Sequence, residues 1–395
     1  MRQLIIKNIG PIEEINIELK RINVLIGLQS SGKSTINKIA CYCSWVEKEI
    51  ATTQSAEYFK KEGVFESHLV VFHKLGGFVH DNSFIQYETD VMRFSYSKKE
   101  DCFRFEWKNQ WEYVRPKMIY IPAERNIVGV IPNWFEVKLE ENNIRSFMGD
   151  WEEARTYYGG QQLDMLSLGV RYAFDPLSRK DRVFLSNDKP IDFTNTSSGL
   201  QSLIPLMVVL RYVTDGIFKM ERKDSVHDVF WKKTMKERIH EAFSSDEERA
   251  QQLLRITEYI LTPHYTNIFL EEPEQNLFPF TQRDLVKYLI ALINKEREHH
   301  LFITTHSPYI LTSLNNLLYT GKVGKVKGEA VKQITPTDYW VDFSEIGAWF
   351  VQDGQVSSIL DMEEELIQSE AIDEVSHELN RDFDELMKLE LNDVD

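Results

Sequence analysis

The stretch Gly27-Leu28-Gln29-Ser30-Ser31-Gly32-Lys33-Ser34-Thr35 fulfils the pattern G-x-x-x-x-G-K-[ST], and no other nine residues constrain this chain as much. An apolar run, Ile22-Asn23-Val24-Leu25-Ile26, precedes it and a helical pattern follows. That is the strand–loop–helix setting a phosphate-binding loop requires. Glycines let the backbone curl so that successive N–H groups converge on one phosphate chain. The following helix adds the partial positive charge of its N-terminus. Lys33 is placed to reach the β- and γ-phosphates, and the Ser34 hydroxyl to bind Mg²⁺. Gln29, Ser30, Ser31, Gly32 and Thr35 complete the cradle that Gly27 opens. The expected ligand is a nucleoside triphosphate.

The rest of the pattern points to an α/β fold. Leu4–Ile12 and Ile15–Leu19 read as two strands about a Gly10-Pro11 turn, residues 34–62 as a long helix and Phe84–Trp107 as a strand pair. Met118-Ile119-Tyr120-Ile121 is a short apolar run typical of a buried strand, and Pro122-Ala123-Glu124-Arg125 is a polar turn at its end. Residues 130–175 read as mostly helical. A hairpin over Val183–Phe193 leads into an apolar helix, Leu200–Thr214, and residues 216–262 read as a charged helical subdomain. Ile268-Phe269-Leu270 and Leu301-Phe302-Ile303-Thr304 are two more buried strands with a helix at about 280–297 between them. Strand–helix–strand order around a phosphate loop predicts a mostly parallel sheet flanked by helices, with helical insertions.

Three further clusters sit where such sheets carry their chemistry, at strand ends. Glu271-Glu272 closes an apolar strand; one carboxylate there can serve Mg²⁺ and its neighbour can orient an attacking water. His306, in Thr304-Thr305-His306-Ser307-Pro308, can donate to a γ-phosphate. Thr196-Ser197-Ser198-Gly199-Leu200-Gln201 opens the apolar helix. It reads either as a helix cap on Ser197 or Ser198 or as a second anion cradle, and the two are compatible. A second cradle in one chain implies a γ-phosphate bound by another subunit, hence a dimer closed by two nucleotides.

In this order the motifs resemble an ABC-type ATPase head of the SMC-like group, nearest the overcoming-lysogenization-defect (OLD) class and related stand-alone AAA-labelled ATPases. The match rests on Gly27–Thr35, Tyr120–Arg125, Ser197–Gln201, Glu271–Pro279 and Thr304–Pro308, and covers about residues 1–315. The resemblance implies ATP with Mg²⁺ as ligand, a head-to-tail homodimer, and the following roles. Lys33 is the phosphate lysine, Ser34 and Glu271 serve the metal, Glu272 is the catalytic base or water-orienting acid, His306 is the switch histidine, and Ser198 with Gly199 contact ATP across the dimer. Glu271 stands where ABC proteins usually carry Asp, and Ser-Ser-Gly-Leu-Gln replaces Leu-Ser-Gly-Gly-Gln. No glutamine matches the Q-loop; Glu124 or Arg125 lies nearest its place. The implied organisation is an N-terminal lobe with the phosphate loop (1–129), an insertion lobe carrying the signature (130–262), a C-terminal core with the acidic strand and histidine (263–315), and a small strand segment with an acidic helix (316–395).

The 87 residues after Pro308 hold a Gly/Lys-rich turn at Lys322–Lys332, short strands about Trp340 and Trp349 and an acidic tail, with no two-metal nuclease pattern and no long heptad arm. Of the net charge of −16, residues 361–395 contribute −12, from fourteen acids against Arg381 and Lys388, which leaves −4 on the other 360 residues. Ile372, Val375, Leu379, Phe383 and Leu386 form one apolar stripe on that tail, suited to docking on its own body or on a partner. No run approaches the roughly 18 apolar residues of a membrane span. Three cysteines without metal spacing, Cys41, Cys43 and Cys102, fit a reducing cytoplasm. The function this implies is an ATP-driven sensor or motor subunit for a separate effector, in phage defence or DNA maintenance. The alternative is a DNA-repair ATPase that clamps duplex DNA through Lys219, Arg222, Lys223, Lys232, Lys233, Lys236 and Arg238.

Overall fold

The computed structural model describes residues 2–185, 189–220, 233, 236–368 and 381–388. The chain opens with the expected hairpin, β1 (Arg2–Ile9) and β2 (Ile12–Leu19), paired antiparallel across Gly10-Pro11. β3 (Ile22–Gly27) is buried along its whole length and delivers the phosphate loop to helix α1 (Lys33–Thr53). After helix α2 (Val64–His73), the region expected to hold two strands holds three: β4 (Val79–Glu88), β5 (Met92–Ser97) and β6 (Cys102–Trp107). They join the first hairpin as an antiparallel sheet in the order β2-β1-β4-β5-β6. Strands linked by connections this short cannot run parallel.

The central sheet is built from distant segments. β7 (Pro116–Ile121), β12 (Tyr265–Glu271), β13 (His300–Thr305), β3 and β14 (Ile346–Gln352) all run parallel, and β15 (Gln355–Ser358) turns back along β14. The order is β15-β14-β3-β13-β12-β7. The parallel expectation therefore holds for this sheet, while the other sheets are antiparallel. Side chains alternate between two cores as a period of two demands. Val24, Ile26, Ile268, Leu270, Leu301 and Ile303 enter one. Leu25, Phe269 and Phe302 enter the other, with Ile36 and Ile39 of α1.

Two stretches differ from expectation. Only the first part of 130–175 is helical, as α3 (Asn143–Tyr157); β8 (Gln162–Asp164) and β9 (Arg171–Asp175) follow and join β10 (Lys180–Phe184) and β11 (Pro190–Asp192) in a second antiparallel sheet. Their short alternating pattern is easily lost beside a strong helical one. The Gly/Lys-rich segment expected as a turn at 322–332 is largely helical, the end of Pro308–Lys332, with a kink at Lys327. Its glycines are packing notches: a Cβ on Gly321 would lie 2.2 Å from the Val341 carbonyl oxygen, and one on Gly324 2.4 Å from the Trp340 ring.

The apolar helix α4 (Ser198–Arg211) buries every residue from Gln201 to Leu210 and packs against α3. The longer stretch Ser198–Lys219 is the one described helix long and apolar enough to cross a membrane by length and composition, and 72% of its most apolar window is buried inside the protein. A core helix has that character. In the tail, Phe383 and Leu386 lie on an exposed helical segment, and the remaining stripe residues, Ile372, Val375 and Leu379, fall outside the described residues.

Candidate nucleotide site

The phosphate loop has the backbone that its glycines predict. Gly27 stands at φ +155° on a strand paired with β14, and a Cβ there would lie 2.2 Å from the Val351 carbonyl oxygen. Gly32 caps α1 at φ +106°, with Ile12 and Pro11 about a van der Waals contact away. Such conformations and approaches exclude a side chain. Lys33 is only 5% exposed, and its Nζ donates to the carbonyl oxygens of Gly27 (2.9 Å) and Leu28 (2.6 Å). The lysine thus spans its own loop. Burial lowers its pKa to about 8, with Glu272 and Glu274 pulling the other way.

A pocket of about 560 Å³ opens over this loop. Residues 29–35 form its floor, Glu272, Thr304 and His306 one wall, and Pro11 and Phe78 the other. The pairing of β3 with β13 and of β13 with β12 sets their C-terminal ends side by side, which is why Lys33, Ser34, Glu272 and His306 meet. His306 Nε2 lies 3.7 Å from Glu272 Oε1, and the His306 N–H donates to Glu274 Oε1 at 2.7 Å. Buried oxygens around the pocket, Ser31 Oγ, Thr304 Oγ1 and Glu274 Oε2, have no protein partner. A polar ligand would satisfy them.

Glu271 is placed differently. It shares a sheet face with Phe269, and so with α1, yet its carboxylate is 4% exposed and does not border the pocket. One oxygen accepts from the Tyr120 hydroxyl at 2.6 Å and the other from the Ala123 N–H at 3.3 Å. Tyr120 ends an adjacent strand and captures the acid expected to serve a metal. Of the acidic pair, Glu272 alone reaches the pocket.

The restraint on Glu272 comes from Arg125. Glu272 has φ +42°, a costly conformation for a residue with a side chain. Its N–H donates to the Thr304 carbonyl at 2.8 Å. The fully buried Arg125 guanidinium donates to the carbonyl oxygens of Glu271 (2.8 Å) and Glu272 (2.7 Å), and also to those of Pro122 and Ser202 (both 3.3 Å). Burial lowers its pKa to about 10 while three glutamates oppose that shift. Sequence reasoning left Glu124 and Arg125 as alternatives here; only Arg125 is drawn inside. Pro11 and Phe78 at the pocket, and Glu274 behind His306, were not foreseen. The two available signals were an acid two residues beyond Glu272 and a Gly-Pro turn close in sequence to the loop.

Ser198 and Gly199 do not border this pocket. Ser197 is the N-cap of α4, its hydroxyl accepting from the Leu200 N–H at 3.5 Å. A Cβ on Gly199 would lie 2.9 Å from the Asn276 carbonyl oxygen, and Asn276 Nδ2 donates to Ser202 Oγ at 3.1 Å. The helix start therefore packs on the loop that follows Glu272, with Ser198 exposed. Among the basic residues considered for DNA, Lys219 is paired with Asp215 at 2.7 Å; Arg222, Lys223 and Lys232 lie outside the described residues.

A metal here would have few protein ligands: among the described residues no three His, Cys, Asp or Glu side chains converge. Ser34 and Glu272 are among the oxygen donors at the pocket, and such a pair fits Mg²⁺ completing its shell with water and substrate phosphates.

Residues 138–311 match the family described as an AAA ATPase domain. No curated protein matches the chain. Similar solved structures include the SMC head domain from Thermotoga maritima (7% identity, TM-score 0.38, covering 90% of this chain and 97% of that one). An ATP-binding cassette of an ABC transporter in its ADP conformation (11%, 0.32, 92% and 93%) and the recombination mediator protein RecF (10%, 0.30, 90% and 97%) are also similar. Over residues 138–311 the chain is thus similar to an AAA ATPase domain, and the phosphate loop at 27–35, upstream of that match, is carried beside Glu272 and His306 by the pairing of β3 with β13.

Proposed function

We propose that this protein binds and hydrolyses ATP with Mg²⁺ as an ABC-type, SMC-like ATPase whose active site is completed by a second copy of the chain. The observation that carries the reading is the meeting of Lys33, Ser34, Glu272 and His306 at one pocket above a loop of converging N–H groups. Lys33 exchanges the carbonyls of Gly27 and Leu28 for phosphate oxygens, which restores the charge that burial disfavours. Glu272, held by Arg125, orients the attacking water and accepts its proton. His306, beside it, donates to the γ-phosphate. Ser34 and Glu272 would hold Mg²⁺, which when bound would neutralise charge on the substrate phosphates. Glu271 supports this wall through Tyr120.

Ser198, exposed, and Gly199, half-buried beside it, both away from the pocket, are the groups a head-to-tail dimer would bring to the partner's γ-phosphate. Apolar side chains flank each motif in the open: Leu28 (63% exposed), Phe278 (68%), Phe280 (64%) and Tyr309 (51%). A partner copy covering them would gain hydrophobic stabilisation. The same family resemblance supports a separate effector as the recipient of the ATP-driven change, in phage defence or DNA maintenance within the cytoplasm. Sedimentation of Glu272→Gln with and without ATP tests the assembly: ATP should shift it to dimer, and Ser198→Glu should lose hydrolysis but keep ATP binding. Unchanged self-association together with normal turnover in Ser198→Glu would refute the composite site.

A further inference from the structure

A second cleft, about 440 Å³, lies along the outer edge of β7, three strands across the sheet from β3 and its phosphate loop. β7 is the last strand of its sheet and pairs on one side only, with β12, so the backbone of Pro116–Tyr120 itself lines the cleft. α1 provides one wall and α2 another, and Ser146 and Asp150 of α3 stand at the third. The volume is that of a small-molecule site.

Two features of the lining specify a ligand class. The first is aromatic. Tyr42, Trp45, Phe72, His73 and Tyr120 line the cleft, with ring centroids 4.9 Å apart for Phe72 and His73, 5.4 Å for His73 and Tyr120, and 5.6 Å for Tyr42 and Trp45. His73 is 1% exposed and its Nδ1 has no partner in the protein. Burial lowers its pKa to about 3, so the ring is neutral and offers a hydrogen bond without a charge. An unsatisfied buried nitrogen costs stability unless a ligand meets it.

The second feature is charge. Lys48, Arg115 and Lys117 line the cleft together with Asp150; Lys48 pairs with Glu49 at 3.3 Å and Lys117 with Asp150 at 2.8 Å, and Glu153 also stands near Lys117. Arg115 donates to the Leu261 carbonyl. Burial lowers the Lys48 pKa, Glu49 opposes that shift, and Arg115 and Lys117 add to it. An anion would relieve that repulsion.

We propose that this cleft is a binding site for a small planar aromatic ring bearing a carboxylate or phosphate. The ring stacks among the side chains of α1 and α2, its polar edge meets His73 Nδ1 and the open backbone of β7, and its acidic group meets Lys48, Arg115 and Lys117. Occupancy is felt at the nucleotide pocket by two short routes. The Tyr120 hydroxyl donates to Glu271, the neighbour of Glu272. Tyr42, Trp45 and Lys48 lie on the helix whose first residue is Lys33. This coupling rests on the ATPase reading; the binding itself does not.

The test is titration calorimetry on the full chain with two probes, indole-3-acetate and a nucleoside monophosphate, in parent protein and in Lys33→Ala. The Lys33→Ala protein keeps nucleotide from being counted at the phosphate loop. One probe per chain should bind in both proteins, with neutral indole-3-acetamide about tenfold weaker or worse, the loss of one charge-assisted contact. The better probe identifies carboxylate or phosphate as the preferred group. Ser146→Trp, at an exposed position on the cleft wall, should abolish binding, and Lys48→Gln should weaken it. Failure of both anions to bind at millimolar concentration, or binding indifferent to Ser146→Trp and Lys48→Gln, overturns the site. In parent protein the bound probe should change ATP turnover at least twofold; binding with unaltered turnover overturns the coupling. A parent protein without any turnover would refute the ATPase reading and leave the binding result standing.

Discussion

The floor of the candidate nucleotide pocket comes from seven contiguous residues, 29–35, whereas the facing wall is assembled from three separate strand ends. On the floor, geometry is set by Gly27 and Gly32 and by a helix start, all local. On the wall, Glu272 follows β12, His306 follows β13, and the restraint on Glu272 traces to Arg125 after β7. A contiguous loop tolerates rearrangement elsewhere in the protein. A composite wall transmits it. On the proposed ATPase reading, this division would let the floor hold phosphate while hydrolysis at the wall answers to the rest of the molecule.

The largest expected effect falls on the wall. Arg125→Met leaves four carbonyl groups without their donor in a buried place, and should cost about 3–5 kcal/mol by urea denaturation. Hydrolysis should disappear while folded protein still binds ATP. A variant as stable as the parent, with normal turnover, would show that the wall does not depend on this residue. Next is the floor: Lys33→Ala should weaken ATP binding roughly 100-fold or more by calorimetry, since a buried charge-assisted contact is removed. Comparable affinity would mean that the loop amides suffice. Glu272→Gln should separate floor from wall most sharply, with binding retained and turnover lowered about 100-fold.

The smallest effect is a pH dependence confined to the floor. Lys33 in the unliganded protein has its pKa lowered to about 8, and ATP prefers the protonated amine. Affinity should therefore be flat below pH 8 and fall above it, by up to about tenfold per pH unit, until the raised pKa of the complex is reached. Lys33→Arg should remove that decline, because a guanidinium stays charged throughout the range. A decline that persists in Lys33→Arg would assign it to another group.

The unequal legibility of the two regions has the same origin. The phosphate loop could be read directly, because its nine residues are adjacent and each has a local reason to be what it is. The acidic pair, the histidine and the helix start at Ser197 were also readable as strand ends and a cap. Arg125 was not, since nothing in Pro122-Ala123-Glu124-Arg125 tells which of two charged neighbours turns inward. Nor was the division between Glu271 and Glu272. It depends on Tyr120, 151 residues away in sequence, closing on one of them. The glycines at 321 and 324 read as turn formers because the ring and backbone that they admit, at Trp340 and Val341, arrive from a later segment.

By itself the sequence determined what adjacent residues decide: a phosphate loop between a buried strand and a helix, the buried strands with their polar ends, and the concentration of negative charge in the tail. Tertiary structure decided what requires segments to meet. It placed β14 beside β3, sent Glu272 to the pocket and Glu271 to Tyr120, buried Arg125 as the common donor to four carbonyls, and left the edge of β7 open beside an aromatic, cationic cleft. The physical reason is one of range. Backbone conformation and helix capping act within a few residues, while burial, register and the pairing of charges are settled only when distant strands lie side by side.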